Sequence, residues 1–331
     1  MHFVTHFTIA LISLLAIVFS CILFTNAIEF LGNKLKLGHN ATGSILAVLG
    51  TGLPEFVVPL VAIFGAKFSG MKLEIANEIA LGAILGSPFM LSTLVLFLLS
   101  IVLIIQKRKN LNVDISFVLR DYKYFLMAYF IAILFSFKFL NEFKFIAVFI
   151  LIALYILFVC RTILKSRCAC TECECEKLYF KFKNENIALI LQLLFSALIL
   201  VFSSHYFVFE IKYFSFALGI APAILALLIA PFATELPECI NSLIWLKQGK
   251  DDLALANILG AIVFQATLLF AIGIILTPWV FNEILLVNVI LTILCALFFA
   301  ILTLKNNIIK IPALIICGFT YFIYLIFVFL K

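Results

Sequence analysis

Two short stretches of this chain repeat one pattern, Thr-x-Leu-Pro-Glu, at Thr51 to Glu55 and at Thr234 to Glu238. On a helix, residues three or four apart share a face. Thr51 therefore lies over Glu55 and Thr234 over Glu238, while Glu235 joins Glu238 on the same side. Proline removes a backbone hydrogen bond and clashes with the carbonyl four residues earlier. Pro54, Pro59, Pro231 and Pro237 thus predict breaks in the helices that carry them. Freed carbonyls, hydroxyls and carboxylates together make an all-oxygen set, which hard cations such as Ca²⁺ prefer. Cys239 adjoins Glu238, but no set of imidazoles or thiolates surrounds it to favour a softer metal.

These elements must sit in an apolar medium. Hydrophobic residues make up 66% of the 331 positions and charged residues only 12%, with a mean hydropathy of +1.26. A water-facing shell needs far more polar residues than that. A membrane-spanning helix needs roughly 20 mostly apolar residues, and such stretches recur along the whole length. Polar punctuation predicts about ten of them, near 7–30, 41–65, 79–105, 123–138, 145–160, 187–209, 214–246, 253–276, 284–304 and 311–330. The first, from Phe7, has no Lys or Arg before it and reads as a retained span rather than a signal peptide. The reading is an all-α polytopic membrane protein. It has a first transmembrane half at 1–160, a polar loop at 161–186 and a second transmembrane half at 187–331.

Within that frame, 14 of the 17 Asp and Glu fall in loops or near span ends, which leaves Glu55, Glu235 and Glu238 deep inside spans. A charge at the bilayer centre costs about 2.5–3.5 kcal/mol on insertion scales. No Lys or Arg lies at matching depth in the same spans, so simple pairing with a base does not explain the three carboxylates.

Basic residues orient the chain. With the N-terminus outside, 17 of the 23 Lys and Arg fall in inside loops, among them Lys107, Arg108, Lys109, Lys247, Lys250 and Lys310. That supports both termini outside. Five spans on each side of the 161–186 loop then enter the membrane in opposite senses, an inverted repeat of the kind secondary transporters use. A second matched segment follows each Pro-Glu element. Ala80-Leu-Gly-Ala-Ile-Leu-Gly-Ser87 aligns with Ala254-Leu-Ala-Asn-Ile-Leu-Gly-Ala261.

These paired elements resemble the two α-repeats of the cation/calcium exchanger superfamily, which includes the sodium/calcium exchangers. Gly50 to Glu55 and Ala233 to Glu238 look like its Gly-Thr-Ser-Leu-Pro-Glu stretch, and Gly82 to Ser87 and Ala256 to Ala261 like the element that follows. The resemblance implies that Glu55 and Glu238 pair as calcium ligands. It also implies that Thr51 and Thr234 lend oxygens, that Ser87 occupies a sodium-site position, and that Asn257 belongs to the second motif. Several positions depart from the pattern. Gly52 and Glu235 stand where the family usually has Ser, Leu91 where it often has Asn or Asp, Gln265 where many members have Asp, and Ala261 where a sodium-site Ser is usual. Glu235 restores the number of carboxylates while Gly52, Leu91 and Ala261 remove oxygens. Proton coupling then stands beside sodium coupling, since a desolvated Glu takes up a proton more readily.

One further cluster could hold a metal. Cys168, Cys170, Cys173 and Cys175 crowd the central loop and suggest a chelate for Zn²⁺ or another soft ion. The same segment could equally be a linker with incidental thiols. His2, His6, His39 and His205 lie near span ends without ligand spacing. No phosphate-binding loop or His-Glu-x-x-His motif occurs, so neither ATP drive nor intramembrane proteolysis is indicated.

The expectation is a secondary transporter, not an enzyme. It exchanges Ca²⁺ or a related divalent cation for Na⁺ or H⁺ by alternating access, in a bacterial cytoplasmic membrane, with no required cofactor, nucleic acid or obligate protein partner. A cation channel or metal-responsive membrane sensor built on the same carboxylates is the alternative.

Overall fold

The computed structural model describes residues 2–34, 48–166, 177–306 and 308–330, and it is helical almost throughout. Lipid offers no hydrogen bonds, so a spanning backbone must satisfy its own, and helices do so within one segment. The helices are α1 (His2–Lys34), α2 (Val48–Ser69), α3 (Leu73–Met90), α4 (Leu96–Ile105), α5 (Ile115–Leu134), α6 (Lys144–Ser166), α7 (Glu185–Leu218), α8 (Pro222–Thr234), α9 (Leu236–Lys247), α10 (Asp251–Phe264), α11 (Phe270–Leu276), α12 (Glu283–Asn306) and α13 (Ile311–Leu330). Two-residue strands β1 (Asn110–Leu111) and β2 (Ile309–Lys310) pair antiparallel.

Seven helical stretches among the described residues are long and apolar enough to cross a membrane: Phe3–Ala27, Leu73–Ile105, Lys144–Ile163, Glu185–Leu218, Asp251–Leu276, Glu283–Lys305 and Ile311–Val328. Their outward surfaces are greasy, with Phe149 76% and Ile105 73% exposed, which fits contact with acyl chains. The other three expected spans fall on less regular elements. The second includes the shorter apolar helix Glu55–Ala66, the seventh is the broken pair α8 and α9, and the fourth is α5.

Four expectations shift. Helix α5 begins at Ile115, not near 123, because Asp114 caps it by accepting from the Ser116 N–H at 2.9 Å. Arg120 and Asp121, which read as loop charges, are helical and bond each other at 2.7 Å. Helix α7 runs nine residues past the predicted end at 209, stopping only at Gly219 (φ 68°), with Pro222 opening α8. Breaks were expected in both Pro-Glu helices, yet α2 stays helical through Pro54 and Pro59, whereas the second copy breaks at Glu235. A proline can bend a helix without ending it when the rest of the ladder survives.

The chain divides into two compact units. The first comprises Met1–Ala83 and Cys160–Pro237. Here α1 packs along α7, and polar groups tie the two helices near both ends. At one end His6 Nδ1 meets the Glu210 carboxylate at 2.9 Å, with the imidazole stacked on Tyr213. At the other, the Gln192 amide donates to the Leu23 carbonyl and to Asn26 Oδ1, at 2.8 and 2.9 Å. Glu210 is thus a further buried acid, inside a membrane-length helix, missed because the sequence placed the span end just before it.

Helix α8 is held against α3 by a close approach. A Cβ on Gly82 would lie 2.0 Å from the Ala223 carbonyl oxygen, so only glycine fits. One turn earlier, the Glu78 carboxylate accepts from the Ala223 backbone. It supplies the negative group that the N-terminus of α8 favours.

The second unit comprises Ile84–Val159 and Glu238–Lys331. Two π-turns lie in it, Leu91–Val95 after α3 and Gln265–Leu269 after α10. Each is supported by a threonine hydroxyl turned onto its own helix. Thr93 donates to the Phe89 carbonyl and Thr267 to that of Val263. Trp279 closes one side of the unit, fully buried, with its indole N–H on the Ala132 carbonyl at 3.0 Å.

Candidate functional site

In the first unit, Glu55 is presented by α2 and Glu235 stands at the break that ends α8. They are 3% and 0% exposed, and a carboxylate oxygen of one lies within 4.8 Å of an oxygen of the other. Glu235 can reach inward because it has left the helix. Its backbone (φ −90°, ψ −7°) caps α8, and its N–H still donates to the Pro231 carbonyl at 2.8 Å. Thr234, buried beside it, directs its hydroxyl to the Ala230 carbonyl at 3.4 Å. The backbone of Thr51 belongs to α2, but its side chain lies outside the described residues.

In the second unit, Glu238 follows Glu235 by three residues in the chain and is fully buried. Its position is braced from α10. The Asn257 amide nitrogen donates to the Glu238 carbonyl at 3.2 Å and to Ser242 Oγ at 3.1 Å. Asn257 therefore holds the first turns of α9 rather than pointing its nitrogen at an ion. Asn257→Ala should raise the apparent KM for the transported cation about tenfold, by the usual penalty for removing a group that orients a ligand. Initial-rate uptake over a cation series checks this, and an unchanged KM would remove the bracing role.

Of the remaining candidates, Ser87 is buried in α3 and Gln265 is buried at the start of the second π-turn. Gln265 and Leu91 open the two π-turns in the same register, and π-turns concentrate at functional sites. Ser242, Thr93 and Thr267 were not singled out from the sequence. The matched Thr-Leu pairs at 93–94 and 267–268 were a visible extension of the repeat. Cys168, Cys170, Cys173 and Cys175 lie outside the described residues.

Chemically, closely spaced buried carboxylates flanked by hydroxyls and amides can hold a cation or a proton.

The sequence profile described as sodium/calcium exchanger protein matches residues 5–164 and 188–330. A stretch of 64 residues is 38% identical to a protein of Alkalimonas amylolytica named for antiport, CaxA, and spans 19% of this chain and 20% of that one. Among solved structures, the H⁺/Ca²⁺ exchanger CAX superposes with a TM-score of 0.74 at 19% identity, over 98% of this chain and 86% of its own. The sodium-calcium exchanger NCX_Mj superposes with a TM-score of 0.61 at 21% identity, over 97% of each chain. With the profile covering most of its length, this chain is an integral membrane protein that belongs to the sodium/calcium exchanger family.

Proposed function

We propose that this chain is a secondary antiporter that exchanges Ca²⁺, or a related divalent cation, for Na⁺ or H⁺ across a bacterial cytoplasmic membrane by alternating access. The observation that carries this reading is the approach of two buried carboxylates, Glu55 and Glu235. Like charges this close in a low-dielectric interior cannot both stay ionised without a compensating cation or proton. A divalent ion answers both charges at once. When it leaves, sodium ions or protons must replace it, and that requirement makes the flux an exchange rather than a leak.

In this reading Glu55, Glu235 and Glu238 are the carboxylates that serve the carried cation, and Thr51 and Thr234 add oxygens. Asn257 positions Glu238, while Ser87 and Gln265 add polar groups. The membrane arrangement we favour is ten spans in two inverted five-helix halves with both termini outside. The two π-turns support it by matching Leu91 with Gln265 and Thr93 with Thr267. Among counter-ions the side chains favour H⁺. Gly52, Leu91 and Ala261 bring no side-chain oxygen, and Glu235 adds a group that can titrate.

The test is ⁴⁵Ca²⁺ uptake into vesicles holding the purified protein, with an imposed Na⁺ gradient, an imposed pH gradient, or neither. Uptake driven by the pH gradient is expected. Uptake that runs at the same rate with no opposing gradient would sink antiport altogether, and uptake driven by Na⁺ alone would reverse the choice of counter-ion.

A further inference from the structure

The second unit also contains a polar cleft of about 620 Å³. Gln106, Arg108 and Asn112 form one wall, and Lys247, Gly249 and Asp251 the other; none of the lining side chains is apolar. The walls are pinned together. The Gln106 side-chain amide donates to the Lys247 carbonyl at 3.1 Å, and the Asn112 N–H donates to the Asp251 carboxylate at 2.8 Å. Arg108 meets both oxygens of Asp251, which holds its guanidinium above the ordinary arginine range. Strand pairing sets Lys310 opposite Asn110, and the Ile311 N–H reaches the Lys109 carbonyl at 3.4 Å. Basic residues far apart in sequence, Lys107, Lys109, Lys247, Lys250 and Lys310, are thereby brought to one end of the unit.

Charge and depth then agree. The Asp251 carboxylate is already answered by Arg108 and the Asn112 N–H. The Lys247 ammonium makes no ion pair among the described residues. The cleft lies just past Ile105, where one membrane-length helix ends, and at Asp251, where another begins. The ends of membrane-spanning helices meet the lipid headgroups, where basic pockets between helices take up phosphate.

We propose that this cleft binds the phosphate of an anionic glycerophospholipid. Lys247 supplies the point charge, and the Asn112 side-chain amide and the Arg108 N–H groups not turned to Asp251 supply directed donors. The inference rests on the second unit alone and is independent of which cation is carried.

Native mass spectrometry of the delipidated full chain, titrated with phosphatidylglycerol, phosphatidylcholine or inorganic phosphate, tests it. Phosphatidylglycerol should bind more tightly than phosphatidylcholine. Lys247→Gln should weaken phosphatidylglycerol binding about fivefold, the worth of one basic residue near a charged headgroup. Lys212→Gln, outside the cleft, should leave it unchanged. Equal binding of the two lipids, or an unaltered affinity in Lys247→Gln, would overturn the proposal. Inorganic phosphate binding as tightly as phosphatidylglycerol would overturn the lipid assignment.

Discussion

Glu55→Gln and Glu238→Gln are each expected to lower divalent-cation exchange by about 100-fold or more, because a hard cation's affinity follows the charge of its oxygen ligands. The same substitutions should leave the fold intact or slightly firmer. Glutamine keeps the shape of the side chain and removes a charge that costs free energy in an apolar interior. The two readouts are separate: initial rates of ⁴⁵Ca²⁺ exchange in vesicles, and thermal melting in detergent without cation. Calcium should raise the melting temperature of the unaltered protein, since a ligand that binds only the folded state stabilises it, and this increment should shrink in both variants. Exchange at the normal rate in either variant would remove that carboxylate from the transport site. Loss of activity together with collapse of the fold would point to a structural role instead.

Gly82→Ala should have the next largest effect, and by a different route. Its added methyl would sit 2.0 Å from the Ala223 carbonyl oxygen, a backbone atom that no side-chain rotation can clear. Helix α8 would have to move off α3, and the Glu78 carboxylate would lose its place at the α8 N-terminus. Overpacking of this kind costs typically about 1–3 kcal/mol. The displacement would also carry Glu235, at the far end of the same helix, away from Glu55. A lowered melting temperature with a smaller calcium-induced increment is the expected pair of results. Ala261→Gly, in the matching second motif, removes a methyl and should do far less. A Gly82→Ala protein with normal stability and normal exchange would contradict the close packing of the two helices.

Much of the candidate site was legible from the residues because its signals are local. Thr-x-Leu-Pro-Glu occurs twice, carboxylates are rare inside apolar runs, and helical spacing puts each Thr over its Glu. What could not be read locally was how each proline would be accommodated. Pro54 and Pro59 sit in a helix that continues, while the second copy opens at Glu235, although both copies carry the same Thr-x-Leu-Pro-Glu pattern. The ends of α5 and α7 were misplaced for a related reason. Charges such as Arg120, Asp121 and Glu210 look like loop residues until partners appear for them, and His6, the partner of Glu210, is some 200 positions away.

By itself, then, the sequence determined the membrane class, the repeated Pro-Glu elements and the three carboxylates, since composition and short-range periodicity act through neighbouring residues. Only the tertiary structure decided that Glu235 leaves its helix to approach Glu55, that Asn257 spends its amide on the Glu238 carbonyl, and that Gly82 is irreplaceable. Those outcomes depend on which backbone groups from distant segments meet. Every such meeting is settled by the hydrogen bonds and van der Waals contacts that packing permits.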